Sequence, residues 1–340
     1  MRGLMKNSNI KRMTYVPHTL ALNGHMQAVL SMMCDLYLSF FFSIKYEREM
    51  FCLSDGGTIA LDWVIDHEGG APRKNSHRPI LCCFSGLSGG NKNLYLYSMI
   101  KSATQAGFKC VVVNFRGCSG VKLTSPKIYW KCNWTDVKEP IEYIHAQYCS
   151  GNNHDFMKRN LYAYAVSLGA GMLTKYLFKS GDKCVLSGAL PYSLFYEVEG
   201  NVPFFKSSGW KFYDFALGYN YYKVLKAQEE ELRDLFGNEK YLEFMSRVYE
   251  NRYSLMDISE KAMCPLFGYH STSEYYAETR PIGKLHQIRI PTMFFSAIDD
   301  PTINHEFNPY KEFESNENII GCFTTRGGHC GHFTGRIIPR

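Results

Sequence analysis

The sequence predicts an α/β fold: a mostly parallel central sheet with helices on both faces and a helical lid inserted late in the chain. Three observations carry the prediction. Short β-rich runs bounded by turn residues alternate with segments of helical periodicity. The later runs are mostly apolar, as strands covered on both faces are. One long segment between Ala189 and Thr292 breaks the alternation. With 340 residues, 45% of them hydrophobic, the chain can bury a large core, which excludes a disordered or fibrous polypeptide.

Taken in order, residues 1–45 read as an N-terminal helical segment. The first fifteen, MRGLMKNSNIKRMTY, are basic but lack the apolar stretch and small-residue cleavage site of a secretory signal. Ala28 to Ile44 is apolar but barely long enough to span a bilayer, and it carries Asp35, a costly charge in hydrocarbon. A buried or interface-lying helix is expected there. Residues 46–190 form the first part of the core. Tyr46–Leu53 and Ile59–Ile65 read as strands joined by Ser54-Asp55-Gly56-Gly57, a tight-turn signal that makes them an antiparallel hairpin. Strands follow at Ile80–Phe84, Lys109–Phe115, Leu161–Val166 and Cys184–Ala189. The helices between them, Leu94–Ala106, Trp134–Tyr148 and Leu168–Lys179, are the crossovers that parallel strands need. Residues 191–285 are the lid or cap insertion, first aromatic and then helical and charged. Residues 286–340 complete the core with strands Thr292–Ala297 and Ile319–Thr324, giving one structural domain overall.

The 38 basic and 32 acidic residues give +6, but the basic ones are scattered, so no nucleic-acid footprint is present. The 12 cysteines are dispersed, and Cys82, Cys83, Cys110 and Cys184 lie in apolar runs. They read as reduced core residues, which points to a thiol-reducing, cytoplasmic compartment.

The sharpest chemical signal is Ala165-Val166-Ser167-Leu168-Gly169, where an apolar strand meets a helix. A serine on such a turn is exposed in strained geometry, and small residues two positions either side permit it. The bland alternative is a helix N-cap. A serine hydroxyl needs an imidazole to take its proton and a carboxylate to orient that imidazole. Downstream, Ile298-Asp299-Asp300-Pro301 and Gly327-Gly328-His329 end successive strands in the serine, acid, histidine order of strand–turn–helix hydrolases. Ser85-Gly86-Leu87-Ser88-Gly89-Gly90 after the third strand is a glycine-rich turn suited to an oxyanion donor. The N–H groups of Leu87 and Leu168 are therefore the expected oxyanion hole. The P-loop and dinucleotide patterns are missing. Cys322, His329, Cys330 and His332 read as loop residues more than as a zinc set, so neither metal nor cofactor is expected. Arg116 and Cys118 are expected to be structural, and His25 a loop residue.

Several separate segments together resemble the YheT-like and EMB8-like branch of the α/β hydrolases, which includes the ABHD1, ABHD2 and ABHD3 group. They are Asn23-Gly24-His25-Met26-Gln27, Asp55-Gly56-Gly57 with Asp62-Trp63, Gly86-Leu87-Ser88-Gly89, Asn114-Phe115-Arg116-Gly117-Cys118, Ser167-Leu168-Gly169, Asp299-Asp300-Pro301 and Gly327-Gly328-His329. The resemblance implies an α/β-hydrolase fold and a serine hydrolase acting on acyl esters, in a family with phospholipases, monoacylglycerol lipases and enzymes of medium-chain acyl esters. It implies Ser167 as nucleophile, His329 as base and, because the second aspartate of the pattern is the triad member, Asp300 as the acid. The chain departs from the pattern at Ala165, where glycine is usual, and at its end, since relatives usually continue past the histidine loop into a final helix. Asn93 and Tyr95 stand near the oxyanion turn without an assigned role.

The expected substrate is a small-molecule acyl ester or lipid, with peripheral membrane contact open to the lid or the N-terminal helix. Phe204, Phe205, Trp210, Phe212, Tyr213, Phe215, Tyr219, Tyr221 and Tyr222 either build an apolar acyl pocket or pack the lid on the core. The alternatives to hydrolysis are acyl transfer to an alcohol and a catalytically silent lipid- or protein-binding module.

Overall fold

The computed structural model describes residues 14–38, 44–73, 75–151, 157–207 and 211–335. Its strands are β1 (Tyr46–Cys52), β2 (Thr58–Val64), β3 (Ile80–Phe84), β4 (Lys109–Asn114), β5 (Leu161–Val166), β6 (Gly188–Tyr192), β7 (Thr292–Ala297) and β8 (Ile319–Thr324). They form one eight-stranded sheet in the order β1-β2-β4-β3-β5-β6-β7-β8. The β1–β2 hairpin and the β2–β4 pair are antiparallel, and all later pairs are parallel. This is the α/β-hydrolase architecture that the sequence predicts.

Burial on both faces explains the apolar runs. In β3 and β4, Cys82, Phe84, Val111 and Val113 point into one core cluster, while Leu81, Cys83, Cys110 and Val112 point into another across the sheet. Period-two alternation sends neighbours to opposite faces, so a strand covered on both is apolar along its middle, and β4 is polar only at its ends, Lys109 and Asn114. A third cluster joins the insertion to the C-terminal rim of the sheet through Trp130, Phe205, Tyr221, Tyr241, Phe244, Ile258 and Tyr275.

The crossover helices are α2 (Leu94–Gln105), α3 (Thr135–Ile144) and α4 (Leu168–Ser180), with α1 (Gly24–Leu38) before the sheet. Residues 39–43, the end of the apolar N-terminal run, lie outside the described residues. Among the described residues no helix is long and apolar enough to cross a membrane.

Two expected elements shift. Cys184–Ala189 reads as a strand, yet 181–183 is a 3-10 turn and pairing begins at Gly188 opposite Tyr162. The apolar residues before it are buried by packing, with Leu186 inside the main core, so their hydrophobicity does not report pairing. Pro191 lies inside β6 and has no N–H to give; on the β7 side the ladder pairs only Ala189 and Tyr192. The helix expected to run to Tyr148 ends at Ile144 and widens into a π turn over His145–Cys149.

The chain runs from β3 outward to β4 and returns across β3 to β5. Connections leaving β3 and β5 therefore diverge to opposite sides, opening a crevice at the C-terminal ends of these strands. Both the glycine-rich turn and Ser167 follow these ends.

Candidate active site

Ser167 has φ +52° and ψ −114°, a strained backbone for a residue with a Cβ. Its N–H donates to the Tyr192 carbonyl at 2.8 Å and its carbonyl accepts from Gly171 at 3.1 Å, which hold the turn. A Cβ on Gly169 would lie 2.4 Å from the Ser85 carbonyl oxygen, so this position requires glycine. Ala165, opposite Phe84, is fully buried. The serine side chain makes no capping hydrogen bond to α4, which sets aside the N-cap alternative.

Its Oγ instead lies 2.9 Å from Nε2 of His329, and Nδ1 of that ring lies 2.7 Å from Oδ2 of Asp300. A carboxylate only accepts, so Nδ1 carries a proton and, in the neutral ring, Nε2 accepts from the serine. Burial opposes the charged imidazole, but the adjacent Asp300 carboxylate outweighs it and holds His329 well above the ordinary value of 6.5. Asp300 is buried, and its other oxygen accepts from the Thr302 N–H at 2.8 Å and the Thr302 hydroxyl at 2.7 Å. Asp299 faces elsewhere: it accepts from the Gly328 N–H at 3.0 Å and so ties down the loop that carries His329. The neighbouring His332 bonds Tyr192 and Thr324 at 2.7 Å each, and burial pulls it down to about 4, a neutral structural ring.

The turn after β3 is braced from three sides. The Gly86 N–H donates to the Tyr95 hydroxyl at 3.0 Å, and the Gly90 N–H to Oδ1 of Asn93 at 2.7 Å. Asn91 reaches Asn114 and Asp62, while Asp35 accepts from the Leu94 N–H at 2.7 Å and from Asn93 at 3.2 Å. Asp35 thus spends its charge on the start of α2. The Leu87 and Leu168 amides have no protein acceptor among the described residues, and both residues line the cavity that holds Ser167.

That cavity lies between Ser167 and the insertion and opens to solvent. Its walls are mostly apolar, with Leu194, Phe195, Val198, Phe205, Leu217 and Met256 among them. Of the nine insertion aromatics named from sequence, eight are among the described residues, and of these only Phe205 lines it. Trp210 lies outside the described residues. Tyr213 bonds His25 at 3.0 Å and Tyr221 packs on Trp130, whereas Phe212, Phe215 and Tyr219 are exposed. The packing of the insertion, not its aromatic density, decides which rings turn inward, and aliphatic residues dominate the cavity.

Sequence reading missed Thr302, Phe195 and Lys131. Phe195 packs against the His329 ring, centroids 5.8 Å apart, and Lys131 borders the cavity. An Asp-Pro-Thr run signals a side chain that accepts from the N–H two residues on, so Thr302 was findable. The other two meet the site only through tertiary approach. Arg116 is structural as expected: it forks onto Asp136 at 2.6 and 2.7 Å and reaches Asp55 and Ser125.

No model of a known protein family matches the chain. Phospholipase ABHD3 of Homo sapiens is 28% identical over 300 residues, covering 87% of this chain and 69% of that protein. A monoacylglycerol lipase of Saccharomyces cerevisiae is 28% identical over 272 residues, covering 78% and 58%. Among solved structures, a fungal esterase from Rhizomucor miehei superposes with a TM-score of 0.54 at 11% identity, over 89% of this chain and 82% of that one. In fold the chain is an α/β hydrolase, and in sequence it is similar to the group that contains ABHD3.

Proposed function

We propose that this chain is a carboxylic ester hydrolase that cleaves esters of lipid-like acyl groups, of monoacylglycerol or phospholipid type, through an acyl-enzyme on Ser167. One observation carries the reading: a strained serine hydrogen-bonded to a histidine that is bonded to a buried aspartate, at the wall of an apolar cavity. The names of its relatives, a phospholipase and a monoacylglycerol lipase, agree with a lipid ester.

In this reading Oγ of Ser167 attacks the ester carbonyl as its proton passes to Nε2 of His329. The oxyanion of the tetrahedral intermediate is met by the Leu87 and Leu168 N–H groups. Collapse returns the proton to the leaving alcohol and leaves the acyl group on Ser167. Water then attacks the acyl carbonyl as its proton passes to Nε2, and collapse breaks the Oγ–acyl bond, returns that proton to Oγ of Ser167 and releases the acid. Asp300 keeps Nδ1 protonated and stabilises the imidazolium that forms. Thr302 fixes Asp300 in turn.

Labelling by a fluorophosphonate probe, with Ser167→Ala as control, tests the nucleophile. Turnover of p-nitrophenyl esters from acetyl upward tests the acyl preference: kcat/KM rising with chain length is expected, and a steady fall would leave a small-ester hydrolase. The exposed side chains of Leu20, Leu22, Met26, Val29 and Met33 support peripheral contact with a lipid surface. Cosedimentation with phosphatidylcholine vesicles, reduced by Met26→Ser with Met33→Ser, checks it.

A further inference from the structure

The cavity wall holds a cation whose partners, among the described residues, are ring faces. Lys131 precedes α3 and is half-buried, and it lines the cavity together with Ser167. Its Nζ sits 4.3 Å from the ring centroid of Tyr275 and 4.8 Å from that of Tyr276. Among the described residues it makes no hydrogen bond or ion pair. The enclosed cations Arg116, Lys109 and Lys175 are each paired with a carboxylate, Arg116 with Asp136, Lys109 with Asp66 and Lys175 with Glu278, and Arg159 donates to the carbonyls of Met157 and Arg73. Two ring faces attract an ammonium but accept no N–H···O bond, so they compensate only part of its lost hydration.

The oxygens nearby bond other groups, and none of them bonds Lys131. Glu260 takes the Tyr276 hydroxyl at 3.1 Å and Lys206 at 3.3 Å. Ser259 bonds the Tyr275 hydroxyl at 2.8 Å, and the Thr279 hydroxyl donates to the carbonyls of Tyr275 and Tyr276. Burial, only partly offset by Cys132, Glu260 and Cys264, pulls the Lys131 ammonium down to about 7. An anion arriving in the cavity would restore what burial removed.

We propose that Lys131 is a specificity-determining residue that selects esters carrying a second, anionic group, a carboxylate or phosphate, away from the scissile carbonyl. The proposal rests on the ester-hydrolase reading and narrows its substrate class. The apolar wall receives the chain of such a substrate while the ammonium receives its charged group, which a neutral ester leaves unmatched.

The test compares substrates equal in acyl length: p-nitrophenyl hexanoate against mono-p-nitrophenyl adipate, and 1-dodecanoylglycerol against its 3-phosphate. The quantity read is the ratio of kcat/KM, charged over neutral, within each protein, so a general loss of activity in a variant cancels. Wild type should favour at least one charged member about tenfold or more, mainly through KM. The adipate arm identifies a carboxylate and the glycerol phosphate arm a lipid headgroup. Lys131→Met should bring the ratio to unity or below, and Lys131→Arg should keep most of it. A wild-type ratio at or below one in both arms overturns the proposal even if Lys131→Met does not fold, as does a ratio unchanged in Lys131→Met. Turnover of the neutral esters in the same assay shows separately whether the ester-hydrolase reading holds; no turnover of any ester by wild type overturns both.

Discussion

Gly24 packs so closely on the main chain of Asp299 that a Cβ at position 24 would lie 1.7 Å from the Asp299 carbonyl oxygen. The N-terminal segment is therefore a brace for the loops that carry Asp300 and His329. Gln27, buried beside it, accepts from the Phe333 N–H at 2.8 Å and donates to the Ala21 carbonyl at 2.6 Å. A Cβ on Gly328 would in turn meet the Gly24 carbonyl at 2.3 Å. Asn23-Gly24-His25-Met26-Gln27 thus belongs to the site without touching Ser167.

Gly24→Ala should push the Asp299–Asp300 segment away from its place under His329. Overpacking of this kind costs about 1–3 kcal/mol. We expect a lower Tm and a fall in kcat larger than the change in KM, read by thermal melting and ester kinetics. A variant with wild-type kcat would show that the brace does not position the acid.

The two adjacent aspartates should separate cleanly. Asp300→Asn removes the acceptor that sets the His329 tautomer, and a loss of about 10⁴ in kcat is the scale for such a change. Asp299→Asn weakens only a backbone tie to Gly328 and should cost far less. Equal, mild losses would remove Asp300 from the triad.

The pH dependence follows from His329. In the proposed mechanism its neutral form is the base, and Asp300 favours the charged form, so kcat/KM should rise with pH through a midpoint above the 6.5 of an ordinary imidazole. Removing the carboxylate charge in Asp300→Asn takes away that stabilisation, and the acid limb of the residual activity should move to lower pH. A pH titration of both proteins reads the sign; an acid limb that stays in place would exclude the pair as its source.

Arg116 is far from the chemistry in role but central to stability. Arg116→Met leaves Asp136, fully buried, without the guanidinium that accounts for its charge, at a cost of about 3–5 kcal/mol. Denaturant unfolding should show that loss, while the fraction still folded keeps its fluorophosphonate labelling. Preserved stability would mean that the network is dispensable.

Chain-length preference should respond to the cavity wall. Leu217→Trp fills space beside Phe205 and Met256. Each buried methylene adds about 0.8 kcal/mol, close to fourfold, so the optimum in a p-nitrophenyl series should shift to shorter esters. An unchanged optimum would place the acyl chain elsewhere.

Local chemistry determined much of this protein. Strands buried on both faces are apolar along most of their length, so β3, β4 and β5 could be located from residue order alone, and β7 and β8 from their short β-rich runs. The strand–turn–helix around Ser167 was equally legible, because only small residues at positions 165 and 169 admit the turn, and the order of Ser167, Asp300 and His329 follows the chain. What needs two distant segments to meet was not legible in that way. The start of β6 is decided by pairing with β5, not by the apolar Cys184-Val185-Leu186 that packs without pairing. The role of Asp35 at the start of α2, of Gly24 under Asp299 and of Lys131 in the cavity wall comes from surfaces that are far apart in sequence. Lid aromatics satisfied the expected composition, yet burial against Trp130 and Tyr129 or exposure to solvent decided which could reach a substrate. Periodicity records how each residue faces its own element; only tertiary packing decides which neighbour it faces, and the occupants of the cavity are set at that level.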